Sequence, residues 1–570
     1  MRKLFILPDY RIFAQLRKNM GKFTIYQVLP RLFGNNNETR KKNGTLAENG
    51  CGKFSAFDAK TLKKIKELGI THIWYTGVLE QATQTDYSAF GIEKNHPAVI
   101  KGIAGSPYAV KDYYDVCPDL AHEVENRMQE FENLVKRTHK AGMKVIIDFV
   151  PNHVARRYHS DTKPADVADL GENDNPNWHF STQNNFYYLS EKLSPHFDLQ
   201  NYEENPAKAT GNDCFNPHPT KNDWYETVKL NYGVDYPGGG AKHFNPIPDT
   251  WFKMRDILLF WAGKKVDGFR CDMAEMVPVE FWKWGIAEVK KQFPDVIFIA
   301  EVYNPKEYRN YLFEGGFDYL YDKVGLYDTL RNVICGHQHA SDITHCWQSL
   351  EGISHRMLNF LENHDEQRIA SDFFASEPRK ALPALLVSAL MNTAPFMLYF
   401  GQELGERGMD AEGFSGLDGR TTIFDYWHLQ TIQDWLRGRD GARPISTLYS
   451  FYQKVLKICL EENCAKNGGF YDLMYLNFNN PHFDTTKQYA FLRHSENEIL
   501  LVAANFSNED KNIEINLSVE VFDYLNIANT KNTAVDLLTN ESVEINFSPT
   551  EPLRVLVKGY GGVVLKVYKV

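Results

Sequence analysis

Short, nearly unbroken apolar runs recur along the first two-thirds of the chain, and most are followed by a stretch whose apolar residues repeat at helical spacing. The runs are FTIYQVL from Phe23, HIWYTG from His72, KVIIDFV from Lys144, VDGFRC from Val266, VIFIAEV from Val296, FDYLYD from Phe317, MLNFLEN from Met357 and FMLYFGQ from Phe396. Runs without polar alternation suit parallel strands covered on both faces. Between them lie the helical patterns AKTLKKIKELG, FENLVKRTHKAG, TWFKMRDILLFWAG, EFWKWGIAEVKKQF and KALPALLVSALMNT, three of the first four ending in glycine, a common helix stop. Strands alternating with helices in this number predict an α/β fold, a closed (β/α)8 TIM barrel.

The pattern breaks twice. Residues 151–248, between the third and fourth runs, are rich in Asn, Asp, Pro and Tyr, and so long a connection predicts an inserted irregular domain. After the eighth run comes the helical stretch PISTLYSFYQKVLKICLEEN. From Gly468 onward, EILLVAANF, NIEINLS, VEINFS, LRVLVKG and VVLKVYKV follow a period of two, which predicts a C-terminal antiparallel β-sandwich domain. The expected organisation is therefore barrel, first part, at 1–150 (with an N-terminal extension over 1–22), inserted domain at 151–248, barrel, second part, at 249–467, and β domain at 468–570.

Composition narrows the function classes. With 43% apolar and 24% charged residues the chain is an ordinary globular protein, and a net charge of −10 argues against nucleic acid or an anionic membrane as partner. The opening MRKLFILPDYRIFAQLRKNM is interrupted by Pro8, Asp9 and Arg11, so no secretory signal is expected, and no apolar run is long enough to span a bilayer. Eight scattered cysteines without a C-x-x-C pair read as reduced, mostly buried thiols, which makes the cytoplasm the expected location. Aromatics reach 14% and crowd stretches such as NDWYETVKLNYG. That is the composition of packed loops, and also of a cleft whose rings stack on sugars.

In such a barrel the carboxyl ends of the strands form the active face. The third run delivers Asp148, Asn152 and His153, the fourth Arg270 and Asp272, the fifth Glu301, and the seventh Asn363, His364 and Asp365. Taken singly, each is a loop cap, a satisfied histidine or half of an ion pair. Together they converge on one rim. Arg270 and Asp272, two apart on a strand, share a side, and the cation favours the charged carboxylate that a nucleophile needs. Glu301 follows the apolar VIFIA, a setting that raises a carboxyl pKa and keeps a proton available for a general acid. Two such carboxyl groups are the equipment of retaining glycoside hydrolysis. A metal-dependent barrel enzyme is the second reading, but no H-x-H or H-x-x-x-H pair stands at a strand end, so no metal site is assigned.

DFVPNH, GFRCD, FIAEV and FLENHD, in this order and at these strand ends, resemble the four signature regions of the alpha-amylase family of retaining α-glucan enzymes. IYQVLPRLF is similar to that family's first strand, YAVKDYYDV from Tyr108 to its tyrosine-bearing segment, and FGQELG to its eighth-strand signature. The resemblance spans nearly the whole chain, with the excursion matching the family's domain B and the terminal β region its domain C. It implies Asp272 as nucleophile, Glu301 as general acid/base and Asp365 as transition-state stabiliser. Arg270 would hold Asp272, with Asp148 behind it. Tyr108, His153 and His364 would line the subsite of the cleaved glucose. Asn152 matches a position that ligates a structural calcium in many members.

Two departures bear on that metal. Calcium-binding members carry an aspartate in the domain B signature and a histidine four residues after the nucleophile, where this chain has Lys229 and Met276. An ammonium and a thioether are poor partners for a hard, oxygen-seeking cation. The usual interdomain calcium is therefore expected to be absent, with Lys229 supplying the charge; the loop GNNNETRKKNG is a second candidate for calcium, and no cofactor is required. The KLN of VKLNYG also resembles the neopullulanase and cyclomaltodextrinase branch, although the roughly twenty residues before the first strand leave no room for that branch's N-terminal β domain. The expected function is cleavage of α-1,4-glucosidic bonds in malto-oligosaccharides or related starch-derived α-glucans through a covalent glucosyl-aspartate. An α-glucosidase, a glucan transferase and a non-catalytic carbohydrate-binding barrel are the alternatives.

Overall fold

Eight parallel strands close on themselves: β1 (Thr24–Val28), β2 (His72–Tyr75), β3 (Lys144–Phe149), β4 (Gly268–Cys271), β5 (Ile297–Ala300), β6 (Tyr319–Tyr321), β7 (Met357–Phe360) and β8 (Phe396–Tyr399), each bonded to the next and β8 to β1. The computed structural model describes residues 21–439, 445–527 and 533–569. The expected N-terminal extension lies outside them up to residue 20, as do Pro444 of the helical stretch and the final Val570. Each barrel strand falls within one predicted run. All their residues are buried except Lys144 and Tyr319, which are half-buried, and this two-sided burial is why the runs read as continuously apolar.

Alternation is nonetheless present in three dimensions. Ile25, Trp74, Ile146, Ile299, Leu358 and Met397 pack together as one cluster filling the barrel. Their neighbours Tyr26, Ile73, Ile147, Phe298 and Leu398 belong to the larger core shared with the helices. The predicted helices form at Ala59–Glu67, Arg127–Lys140, Asp249–Gly263, Val279–Gln292 and Leu382–Leu390. Gly69 and Gly142 take left-handed turns just after the first two, whereas in the third Gly263 stays helical and Lys265 (φ 68°) makes that turn. The Leu382–Leu390 helix is buried along its whole length because it packs against both the barrel and the terminal sheet, which explains its unbroken apolar sequence.

Between β3 and β4 the chain is mostly irregular, with short antiparallel pairs of His153–Ala155 with Thr227–Lys229 and of Val234–Asp235 with Ala241–Lys242. Side-chain amides do the bonding that strands would otherwise do. Asn231 donates to Ser181 and Asn184 carbonyls, and Asn185 to Asp249 and Thr250. That use explains the asparagine-rich composition. A second excursion, after β2, pairs Leu79–Gln81 with Val110–Val116.

The C-terminal region is antiparallel throughout, a six-stranded sheet beside the pair Lys511–Ile515 and Leu553–Val557. Two details differ from expectation. VEINFS contributes only its first two residues to the strand Glu541–Glu544. Gln488–His494, which pairs along seven residues with Glu498–Asn505, went unread because six of its seven residues are buried, leaving no polar alternation to detect. All eight cysteines are free, five of them buried. Among the described residues no helix is long and apolar enough to cross a membrane.

Candidate active site

The barrel's alternation carries straight into its chemistry. Counting in twos along the inward face, Ile146 leads to Asp148, Gly268 to Arg270 and then Asp272, and Ile297 to Ile299 and then Glu301. The register of β3, β4 and β5 sets Arg270 directly beside Asp148 and Ile299. Its guanidinium is the centre of the site. Nη1 lies 2.7 Å from Asp272 Oδ1 and 3.5 Å from Asp148 Oδ1, while Nη2 lies 2.8 Å from Glu301 Oε2. Nε donates to the Tyr321 hydroxyl at 3.1 Å. The rings of Trp74, Tyr108 and Tyr321 surround the cation at 5.3–5.6 Å.

One buried cation thus faces three carboxyl groups, with Asp365 close by. Burial disfavours charge, and the surplus of acids compounds it. Asp148 is pushed up to about 6, chiefly by burial against the pull of Arg270. Burial also raises Asp272, while Arg270 pulls the other way and Glu301 adds to the rise. The cation acts with the sign the sequence suggested, but here burial outweighs it, because one guanidinium is shared among several acids. Solvent reaches 43% of the Asp365 side chain through the cavity it lines, yet burial and then the Glu301 charge push it up to about 7. A cluster in this state retains a proton near neutrality.

Asp272, Glu301 and Asp365 line a single cavity of about 270 Å³, together with Tyr108 and His153. Glu301 Oε2 also accepts the Met273 amide at 2.8 Å, and its Oε1 accepts the Tyr303 hydroxyl in a short hydrogen bond. Asp148 accepts the Trp74 indole at 3.0 Å. The Tyr108 hydroxyl reaches His364 Nε2 at 2.5 Å, and the two rings stack with centroids 5.1 Å apart. His364 Nδ1 is 2.8 Å from the Gln27 amide nitrogen, and Nε2 is 3.1 Å from Asp365. Burial lowers the pKa of both histidines, His153 to about 3, so both are neutral at physiological pH. Asn363 serves its own turn, accepting the amides of Asp365 and Glu366.

Asn152 and Lys229 form a separate knot at the root of the inserted segment. The Lys229 ammonium, fully buried, donates to Asn152 Oδ1 at 2.7 Å and pairs with Asp213 Oδ1 at 2.6 Å. The amide oxygen that would face a calcium ion therefore faces a cation already. With Met276 offering only a thioether, the donors present do not fit the family's interdomain metal. In the loop from Gly34 to Gly44, the side-chain oxygens of Asn35 and Asn37 accept amides of the loop itself.

Sequence reading missed Tyr303, Trp74, Tyr321 and Gln27. Tyr303 stands two residues after Glu301, and Gln27, Trp74 and Tyr321 hold inward positions in step with Ile25, Ile146 and Leu358, so counting in twos along each run would have found them. Lys101 and Trp224, also in the cavity wall, lie in irregular segments that give no such count.

A model of the alpha-amylase catalytic domain matches residues 27–447. The chain belongs to the alpha-amylase family. As a member it is an enzyme of the glycosidase and transferase class. Alpha-amylase 3 of Dictyoglomus thermophilum is 24% identical over 456 residues, 74% of this chain and 79% of that protein. Neopullulanase 2 of Thermoactinomyces vulgaris is 22% identical over 67% of this chain and 56% of its own length. Among solved structures, the maltogenic alpha-amylase AmyB of Thermotoga neapolitana shares the fold, with a TM-score of 0.62 at 18% identity over 96% of this chain and 99% of that one. In this chain the ends of β3, β4 and β5 bring the carboxyl groups of Asp148, Asp272 and Glu301 to one guanidinium.

Proposed function

We propose that this enzyme is a retaining glycoside hydrolase acting on α-1,4-glucosidic bonds of malto-oligosaccharides. The reading rests on one observation: Asp272 and Glu301 bind two terminal nitrogens of the same guanidinium and line the same cavity. Carboxyl groups so close suit attack by one on the anomeric carbon while the other protonates the departing oxygen. In the first step an Asp272 oxygen bonds to C1 as the C1–O4 bond breaks, and Glu301 gives its proton to O4 of the leaving glucan. In the second, Glu301, now ionised, takes a proton from water, whose oxygen bonds to C1 as the C1–Asp272 bond breaks. Asp365, neutral His153 and neutral His364 hold ring hydroxyls, Tyr108 stacks on the sugar face, and Arg270 returns Asp272 to its place with Asp148 behind it.

The reading includes no interdomain calcium, since the Lys229 ammonium supplies the charge there. The neopullulanase and maltogenic amylase names among the relatives support pullulan and malto-oligosaccharides as the substrates to try first. The test is incubation with maltoheptaose, cyclodextrin, pullulan and sucrose, following the anomer first released. The α-anomer from the wild type and loss of turnover in Asp272→Asn are expected. An initial β-anomer, or full activity in the mutant, refutes the mechanism.

A further inference from the structure

The topology of the mouth assigns a direction to the cavity. In a closed barrel of eight strands, β5 stands opposite β1, and β2 and β8 flank β1. Glu301, at the end of β5, therefore faces the loops that follow β2 and β8 across the opening. On the proposed chemistry the leaving group departs beside Glu301, so the glucosyl unit that stays behind points its non-reducing end at those two loops.

On that side the cavity is walled. Lys101, from the loop after β2, and Ile423 and Phe424, from the loop after β8, all line it. The wall is anchored. The Ala104 amide donates to the Phe424 carbonyl at 3.0 Å, and Arg31 donates to the Ile423 carbonyl at 3.0 Å. Gly102 (φ 69°) lets the two loops touch, since a Cβ there would stand 2.3 Å from the Phe424 carbonyl oxygen. The inserted segment adds Trp224, Glu226 and Thr227 to the lining. Glu226 pairs with Lys101 at 3.0 Å, the two side chains being 5% and 12% exposed, and the ammonium lies over the Tyr225 ring. Glu226 Oε2 has no hydrogen-bond partner beyond that ion pair. A buried carboxylate and ammonium at the end of a sugar cavity offer an acceptor and a donor to hydroxyl groups. At about 270 Å³ the space is at the small end of ligand sites.

We infer that the enzyme acts from chain ends, removing or transferring one glucosyl unit at a time, and that Lys101, Glu226 and Phe424 form the wall that recognises the non-reducing terminal glucose. The inference rests on the proposed glucosidic chemistry and names its substrate as a free non-reducing end.

The test compares maltoheptaose with maltoheptaose whose terminal 4,6-hydroxyls are blocked as an ethylidene acetal, each with the wild-type enzyme. Glucose as the first released product and at least 100-fold slower cleavage of the blocked chain are expected. Lys101→Ala and Phe424→Ala should each narrow that ratio at least tenfold while raising KM for maltose more than they lower kcat. Comparable cleavage of free and blocked chains by the wild type overturns the end wall and leaves the retaining glycoside hydrolase reading standing. Cleavage of neither chain, by enzyme with an intact thermal transition, overturns both. Because the wild-type comparison decides, a variant that fails to fold does not remove the test.

Discussion

Two buried charge clusters stand beyond the C-terminal end of β3, one in the barrel mouth and one in the insert, and they are built to opposite rules. Around Arg270, three carboxyl groups share one cation and a fourth lies near, so negative charge is in excess and protons are held back. Around Lys229, one ammonium meets one carboxylate and one neutral amide, and the account is even. Burial acts on both. In the balanced knot it fixes a joint between barrel and insert; in the unbalanced one it leaves groups poised to exchange a proton. The contrast teaches that the same residue types give structure or reactivity according to whether their charges cancel.

The largest expected effect breaks the unbalanced cluster at its centre. Asp272→Asn should lower kcat for maltoheptaose by roughly 10⁴-fold or more, as expected for loss of a nucleophile, with the thermal midpoint unchanged or raised because one surplus acid is gone. Glu301→Gln should lower kcat/KM by roughly 10²–10⁴-fold, the range for general acid catalysis, and added azide should restore turnover as a glycosyl azide. A full-rate Glu301→Gln enzyme would end the assignment.

The balanced knot should answer in stability instead. Lys229→Met leaves Asn152 and Asp213 without their partner and should cost about 2–3 kcal/mol in denaturant unfolding, the range for a broken buried hydrogen-bonded charge. Since Asp213 is 40% exposed and can rehydrate, the value belongs at the low end. Chelators should not alter the wild type's unfolding midpoint; a large loss of stability with EDTA would count against the ammonium as the resident charge.

Smaller is the effect of Tyr303→Phe, which removes the hydroxyl bound to Glu301 Oε1. A bond to a charged acceptor is worth about 1.5–3 kcal/mol, and about half of that in the transition state means a tenfold or smaller fall in kcat/KM. The loss should fall on kcat more than on KM, because the lost hydroxyl touches Glu301. An unchanged kcat would make Tyr303 merely structural.

The smallest signal is the pH slope of stability. Between about pH 7 and 8 most unfolded histidine is neutral, as buried His72 and His153 are in the folded chain. There the raised acids Asp365, Glu362 and Glu403, all near 7 when folded, retain protons that the unfolded chain has released. Stability should therefore fall as pH rises through that window. Asp365→Asn should flatten the slope, whereas Lys229→Met should leave it unchanged, which separates the two clusters once more.

Much of this was legible before any coordinates. Eight strands were marked by burial on both faces, and a run of buried residues needs no partner to be recognised as apolar. Asp148, Arg270, Asp272 and Glu301 could be placed on one rim because side chains alternate along a strand, and counting in twos requires only the chain itself. Lys229 could be named as a misfit for calcium from its chemistry alone.

What the sequence could not contain was the closing of distances. Gln488–His494 is a strand because its partners lie on both sides of it. Lys101 and Glu226 come from loops separated by more than a hundred residues, and no local period announces that they meet. The net state of Asp272 depended on how many acids one guanidinium must serve, a property of the assembled barrel mouth. Local pattern determined the staves and the residues they carry; tertiary structure decided which charges must share a partner, because sharing is settled by proximity in space and not by order along the chain.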